Sequence, residues 1–207
     1  MKKRVIFDVD ETIMQDVNYY SIVKKLLAMQ GHNFTHEQLK KYLLAMKKYE
    51  QQYASYQIDE YLNYLRCECG INFTDKYMDM FLQEVSKYDD ALVSLEKRET
   101  LEYLKERYEL IALSSFFKAI TEKRLKNIGV LSYFSEVYGG DEAIKPSEKA
   151  YLDAIGYYDI HDCILIEGKK DEYKSQNIGI DSIILDEDSK TIGNNRVRDI
   201  IELKKVL

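Results

Sequence analysis

Several residue types are scarce in this chain, and each scarcity excludes something. One proline in 207 residues and no low-complexity tract leave no long disordered linker between its parts. The three cysteines, Cys67, Cys69 and Cys163, cannot all pair within one chain, and reduced thiols fit a cytosolic setting. Cys67-Glu68-Cys69 has no second Cys or His pair beside it, so local packing is expected there instead of a four-ligand metal site. His32, His36 and His161 show no triad or ligand spacing, and surface or capping positions are expected for them. No hydrophobic run approaches membrane-spanning length. The N-terminal Met1-Lys2-Lys3-Arg4 leads into a strand too short for a signal-peptide core, so no membrane partner is expected and the cytoplasm is the default location. A net charge of −6 with no block of consecutive basic residues excludes a nucleic-acid polymer, whose run of phosphates requires a basic face. A small phosphorylated metabolite needs only one lysine and one cation, and it stays open as a partner.

What is present is a globular composition, 45% apolar and 32% charged, with length for one large core and a small second one. The stretch that organises it is Val5-Ile6-Phe7-Asp8-Val9-Asp10-Glu11-Thr12-Ile13. Its unbroken β-formers predict a strand buried on both faces, the central kind in a parallel sheet. Ligands of open α/β sheets bind beyond the carboxyl ends of the strands, where Asp8 and Asp10 fall. On an extended strand, side chains two apart point the same way, which aims both carboxylates at one point. Carboxylates held that close repel unless a proton or cation offsets them, and the natural offset is a hard, oxygen-ligated ion, Mg²⁺ above all.

From Ile13 to about residue 90 the pattern is helical. Asp16 is expected to cap a helix running to Gly31, and Thr35 with Gln38 forms a capping-box signature for the next. A third helix is expected from Asp59 to Cys67, ending at Gly70, and Thr74 is expected to open a fourth. From about residue 91 strands and helices alternate. The strands expected are Leu110–Leu113, about Glu136–Tyr138, Cys163–Ile166 and Ser182–Leu185. Helices are expected over about Leu95–Glu106, Lys118–Asn127, Ser147–Ile155, Glu172–Ile178 and Asn195–Val206. The fold class is α/β, a doubly wound, Rossmann-like parallel sheet of about five strands. Residues 1–13 and 91–207 would form its core, and 14–90 a helical subdomain inserted after the first strand.

Asp8-Val9-Asp10-Glu11-Thr12 resembles motif I (DxDxT) of the haloacid dehalogenase (HAD) superfamily, whose members are mostly Mg²⁺-dependent phosphatases. Leu113-Ser114-Ser115 resembles motif II, a strand closed by a hydroxyl. Ile144-Lys145-Pro146-Ser147 resembles motif III, with proline in the first helical turn and Lys145 projecting into the cleft. Ile164-Leu165-Ile166-Glu167-Gly168-Lys169-Lys170-Asp171 resembles motif IV, with Glu167 where the family has Asp and Asp171 as the second acid. Glu11 stands where glycine is commoner. The resemblance implies Asp8 as nucleophile and Asp10 as general acid and base. It places phosphate on Ser114, Ser115 and Lys145, and Mg²⁺ on Asp8, Asp10, Glu167 and Asp171.

The insertion matches the C1-type cap, a lid that selects the substrate. Ten of the chain's 18 tyrosines lie in it. At helical spacing they are expected to pack the bundle, with Tyr19 and Tyr20 the best placed to stack on a ligand. Lys169 and Lys170 are read as a solvated loop before a second anion site. The activity implied is hydrolysis of a small phosphate monoester such as a nucleotide or sugar phosphate. The alternatives are a sugar phosphomutase, which usually has a His in the lid near motif I, and a non-catalytic HAD-fold binding protein, suggested by Glu167.

Overall fold

The structure is a computed structural model that describes residues 3–14, 17–74, 76–87, 93–169, 178–188 and 195–207. Six parallel strands form one sheet: β1 (Lys3–Asp8), β2 (Tyr108–Leu113), β3 (Glu136–Tyr138), β4 (Cys163–Gly168), β5 (Asp181–Leu185) and β6 (Arg196–Val197). Their order is β3-β2-β1-β4-β5-β6, with β1 paired to β2 on one side and β4 on the other. The chain winds outward from β1 in one direction through β3, then crosses back to β4 and winds the other way. The crevice at the reversal lies at the carboxyl ends of β1 and β4, the usual ligand position of such sheets.

Alternation along β1 explains the burial of both faces. Val5 and Phe7 enter one core with Leu101, Leu104, Leu125 and Leu203, while Ile6 enters the other with Tyr151, Ala154 and Leu165. The helices α5 (Leu95–Lys105) and α6 (Lys118–Asn127) supply the first core, and α7 (Glu148–Ile155) the second.

Between β1 and α5 the chain forms α1 (Tyr19–Met29), α2 (His36–Gln52), α3 (Ile58–Cys69) and α4 (Tyr77–Ser86). Their apolar stripes close on one another around Tyr42, Tyr49, Tyr61, Tyr77 and Phe81, each at most 1% exposed. The tyrosines meet ring to ring: Tyr49 stacks on Tyr53 at 4.2 Å between centroids and meets Tyr61 edge-on at 4.9 Å. Packing is thus the role of most of them. This cluster continues without a gap into Phe116, Phe117 and Ile144 of the sheet unit.

Local signals set two of the helix ends. Thr35 and Gln38 form the reciprocal capping box, and Gly70 ends α3 in the left-handed conformation at φ +68°. Four boundaries are corrected. Asn18 caps α1, its side chain accepting from the Ser21 N–H at 3.0 Å; Asp16 lies outside the described residues. Thr74 does not open α4. Its carbonyl takes the Tyr77 N–H at 2.9 Å in a separate turn, and the helical ladder starts with Met80 N–H to Lys76 O at 3.0 Å.

The closing helix expected over Asn195–Val206 is instead β6 followed by a 3-10 helix, Ile200–Lys205. Val197, Ile200 and Leu203 are all buried, and their spacing of three suits 3.0 residues per turn better than 3.6. The sixth strand is the consequence. Pro146 precedes the N-cap of α7, Ser147, and so stands outside the helix, not in its first turn. The helix expected over Glu172–Ile178 falls mostly outside the described residues. No helix among the described residues is long and apolar enough to cross a membrane.

Candidate functional site

Strand β1 ends at Asp8, and the chain then turns tightly. The Val9 carbonyl accepts from Ile13 N–H at 2.9 Å and from Met14 N–H at 3.0 Å, and Asp10 bridges to Met14. The alternation that would aim Asp8 and Asp10 alike therefore stops at Asp8, and Asp10 is presented from the turn. That turn places Glu11 at φ +60°, in the left-handed region. Glycine enters that region without a Cβ penalty, which is the physical reason a glycine suits this position and why Glu11 stands out there.

Each acid is held by its own cation. Asp8, 4% exposed, accepts at Oδ1 from the Val9 N–H at 2.8 Å and from the Lys145 ammonium. Lys145 is itself 7% exposed and stands just before α7, on the face of the sheet that Ile6 faces. Asp10 accepts at Oδ1 from Nη1 of Arg124 at 2.7 Å; the Arg124 side chain is 1% exposed and that of Asp10 26%. Arg124 belongs to none of the four motifs. The signal was there: Thr121, Arg124 and Leu125 form one buried stripe of α6, continued by its C-cap Ile128, so an arginine occupies a largely apolar face and must have an acidic or carbonyl partner inside.

Ser114 and Ser115 close β2 as expected. The buried Ser114 accepts at Oγ from the Phe116 N–H at 3.0 Å, and its own N–H bonds to Tyr138 O at 3.0 Å. The turn after β2 is clamped by the Gly139-Gly140 loop. A Cβ on Gly140 would lie 2.0 Å from the Ser115 carbonyl oxygen, and one on Gly139 2.3 Å from the Lys118 amide, so neither position admits a side chain. Asp141 Oδ1 accepts from the Lys118 N–H at 2.8 Å and closes the start of α6. The helical insertion docks here too. Tyr56 N–H bonds to Gly140 O at 2.8 Å, Ile144 N–H bonds to Ala54 O at 2.7 Å, and the Tyr56 ring lies 5.0 Å from that of Phe117. Burial and the nearby Glu50 carboxylate hold the Tyr56 hydroxyl well above its ordinary pKa, and it donates to Glu50 Oε1 at 2.6 Å. Tyr19 lies against Phe116 at 6.0 Å, whereas Tyr20 hydrogen-bonds His36 at 2.9 Å, away from the sheet.

Glu167, 2% exposed, sits near the end of β4. Phe7 and Ile166 are register partners, so Asp8 and Glu167 follow at the same level on adjacent strands. Two buried carboxylates there supply the oxygen donors a hard divalent cation requires, and the pair fits Mg²⁺ in kind. Asp171 lies outside the described residues. Among the described residues no group of three or more His, Cys, Asp and Glu gathers as a complete ligand set.

Lys169 is a local partner of Asp186, at 3.1 Å; Lys170 lies outside the described residues. A cavity of about 650 Å³ opens at the same end of the sheet, lined by Glu11, Thr12, Gly168, Lys169, Asp186 and Arg198 among others. It adjoins the tail of the β1 turn, and neither Asp8 nor Lys145 lines it. The free cysteines are an exposed Cys67, a half-buried Cys69 and a buried Cys163, whose thiol burial pushes up to about 11.

The fold is thus a doubly wound α/β sheet whose central strand ends in Asp8, with Asp10 in the turn that follows and Lys145 brought in from the segment before α7. The family model described as haloacid dehalogenase-like hydrolase matches residues 5–185, and the chain belongs to that family. Among solved structures it is similar to the HAD-hydrolase YfnB of Bacillus subtilis bound to magnesium. The TM-score is 0.72 at 17% identity, covering 100% of this chain and 98% of that one. It is also similar to the L-2-haloacid dehalogenase of Xanthobacter autotrophicus with chloropropionic acid covalently bound (TM-score 0.66, 13% identity, 100% and 98% covered). A Thermotoga maritima structure named as a β-phosphoglucomutase gives a TM-score of 0.65 at 19% identity, with 99% and 100% covered. At these identities the likeness is one of fold. A search of curated proteins gives no match.

Proposed function

We propose that this hydrolase is a Mg²⁺-dependent phosphatase that cleaves a small phosphate monoester, of the nucleotide or sugar phosphate kind, through an aspartyl-phosphate on Asp8. The observation that carries the reading is the pair of acids at the end of the central strand, Asp8 held by Lys145 and Asp10 by Arg124, beside the Ser114 turn. A dehalogenase of this fold has no need of a second, proton-transferring acid. Phosphoryl transfer to an alkoxide leaving group has one.

Asp8 attacks phosphorus, the bond to the ester oxygen breaks, and Asp10 gives that oxygen its proton. Asp10 then takes a proton from the water that hydrolyses the acyl phosphate, which returns Asp8 and releases inorganic phosphate. Lys145 fixes Asp8 and offsets charge on the phosphoryl oxygens, and the Ser114 hydroxyl and the amides of the following turn receive those oxygens. Bound at Asp8 and Glu167, with Asp171 and the Asp10 carbonyl as further expected ligands, Mg²⁺ would supply additional neutralisation of phosphoryl charge. Helices α1–α4 act as the lid. The Ala54–Tyr56 contact to Gly140 and Ile144 is where it seats, and its closure excludes water.

Phosphate release from 4-nitrophenyl phosphate and from a panel of phosphometabolites tests this, with Mg²⁺ or a chelator, for the native protein and Asp8→Asn. Turnover that needs the metal and Asp8 is expected. Silence across the panel with Mg²⁺, Mn²⁺ and Co²⁺ would turn the reading toward a binding protein.

A further inference from the structure

Asp10 is fixed from two directions. Its backbone is locked in the turn that bridges to Met14, and its Oδ1 takes the Arg124 Nη1 donor at 2.7 Å. The guanidinium is planar, permanently charged and without an acceptor, so the bonded oxygen can only accept there. Any proton that Asp10 carries must then sit on Oδ2. Arg124 is itself buried. Its side chain is 1% exposed on the stripe of α6 that holds Thr121 and Leu125, and Thr121 Oγ1 bonds back to Phe117 O at 3.1 Å one turn ahead. The helix that carries it begins at Lys118, directly after the Ser114 turn, so one rigid element relates the phosphate turn to the orientation of Asp10. The Asp10 side chain is 26% exposed against 6% for Asp8, so Asp10 is the more accessible of the two acids.

We infer that Arg124 is a positioning residue for proton transfer. By holding Oδ1 of Asp10 it dedicates Oδ2 to the leaving-group oxygen in the first half-reaction and to the attacking water in the second. The inference rests on the phosphatase reading. It adds that the acid and base function belongs to the Asp10–Arg124 pair and not to Asp10 alone.

The test compares phenyl phosphate with 4-nitrophenyl phosphate, two esters of similar shape whose leaving groups differ in basicity. Native enzyme, Arg124→Gln, Arg124→Lys, Asp10→Asn and the double variant Asp10→Asn/Arg124→Gln are followed before and in the steady state. Arg124→Gln is expected to lose on the order of 10²-fold on phenyl phosphate, the worth of a well-placed general acid. On 4-nitrophenyl phosphate the same variant should release one nitrophenol per site in a burst and then turn over slowly, because hydrolysis of the acyl phosphate still needs the base. In the Asp10→Asn background the arginine substitution should change the rates by no more than about twofold. Arg124→Lys keeps a charged donor in the same place and should recover part of the loss; it also carries the test if Arg124→Gln unfolds, by its smaller burst in the same order. Equal losses on both esters without a burst, additive losses in the double variant, or native rates in a folded Arg124→Gln would each overturn the assignment. If the native protein cleaves neither ester nor any phosphometabolite, the phosphatase reading fails first and the assignment falls with it.

Discussion

The two ends of strand β1 carry the same kind of interaction for opposite purposes. At the amino end Arg4, 4% exposed, gives Nε and Nη2 to Glu109 Oε2 at 3.3 and 2.9 Å and Nη1 to Ala154 O at 2.8 Å, with the Tyr158 ring 4.7 Å from its charge centre. Every arm of the cation is used and the partners come from β2 and α7, so the arrangement ties three elements together. At the carboxyl end Asp8 is paired with Lys145 and Asp10 with Arg124, and Glu167 lies level with Asp8 on the neighbouring strand. A charge that is fully matched within the protein contributes to stability. The pairs at the carboxyl end stand where ligands of open α/β sheets bind, and the Arg4 cluster does not.

Substitutions at the two ends should therefore separate activity from stability. Asp8→Asn is expected to lower phosphate release by at least ~10⁴-fold, the scale seen when a nucleophile is removed. Lys145→Ala should lose about 10²–10³-fold in kcat, the worth of one preorganised donor to a developing charge. Gly140→Ala moves both readouts. Its Cβ would press on Ser115 O, and about 1–3 kcal/mol of stability should be lost together with activity.

At the other end Glu109→Gln leaves the Arg4 charge unmatched. Removing one partner of a fully buried pair costs roughly 3–5 kcal/mol, and with Glu109 26% exposed the expected loss is about 1–3 kcal/mol in denaturant unfolding, with kcat unchanged. The smallest effect is on pH dependence. Burial works against ionising Glu109, but hydrogen bonds from Arg4 and Tyr158 outweigh it and hold the carboxyl below its usual range. Its folded pKa is depressed, so its contribution is present above the ordinary glutamate value of about 4.3 and is lost as pH falls below it. Urea midpoints taken between neutral and acid pH should fall less steeply in Glu109→Gln than in the native protein.

Much of the architecture was legible in the sequence because its signals are local. The buried run before Asp8, the Thr35 and Gln38 pair, the glycine after α3 and the Ser at the end of β2 each act within a few residues. The amino-acid pattern also pointed to Lys145 as the residue facing Asp8, 137 positions away, through the motif order. What escaped is what depends on partners distant in space. β6 is two residues long and exists because Ile184 and Leu185 pair with it, not because Arg196-Val197 prefers a strand. The contact of Arg124 with Asp10 joins a helix to a turn 114 positions away, and its clue was only a charge on an apolar stripe. Tyr56 is one tyrosine among many until its amide is seen on Gly140, and that contact joins the helical segment to the sheet, which no local pattern encodes.

The most direct measurement is of the covalent intermediate itself. The native protein is mixed with 4-nitrophenyl phosphate and Mg²⁺, quenched in acid, reduced with borohydride and mapped by peptide mass spectrometry. Conversion of Asp8 to homoserine, absent without substrate and absent in Asp8→Asn, is the predicted result. Steady turnover that leaves Asp8 unreduced and survives Asp8→Asn would contradict it, and the acids at the end of β1 would then need a different role.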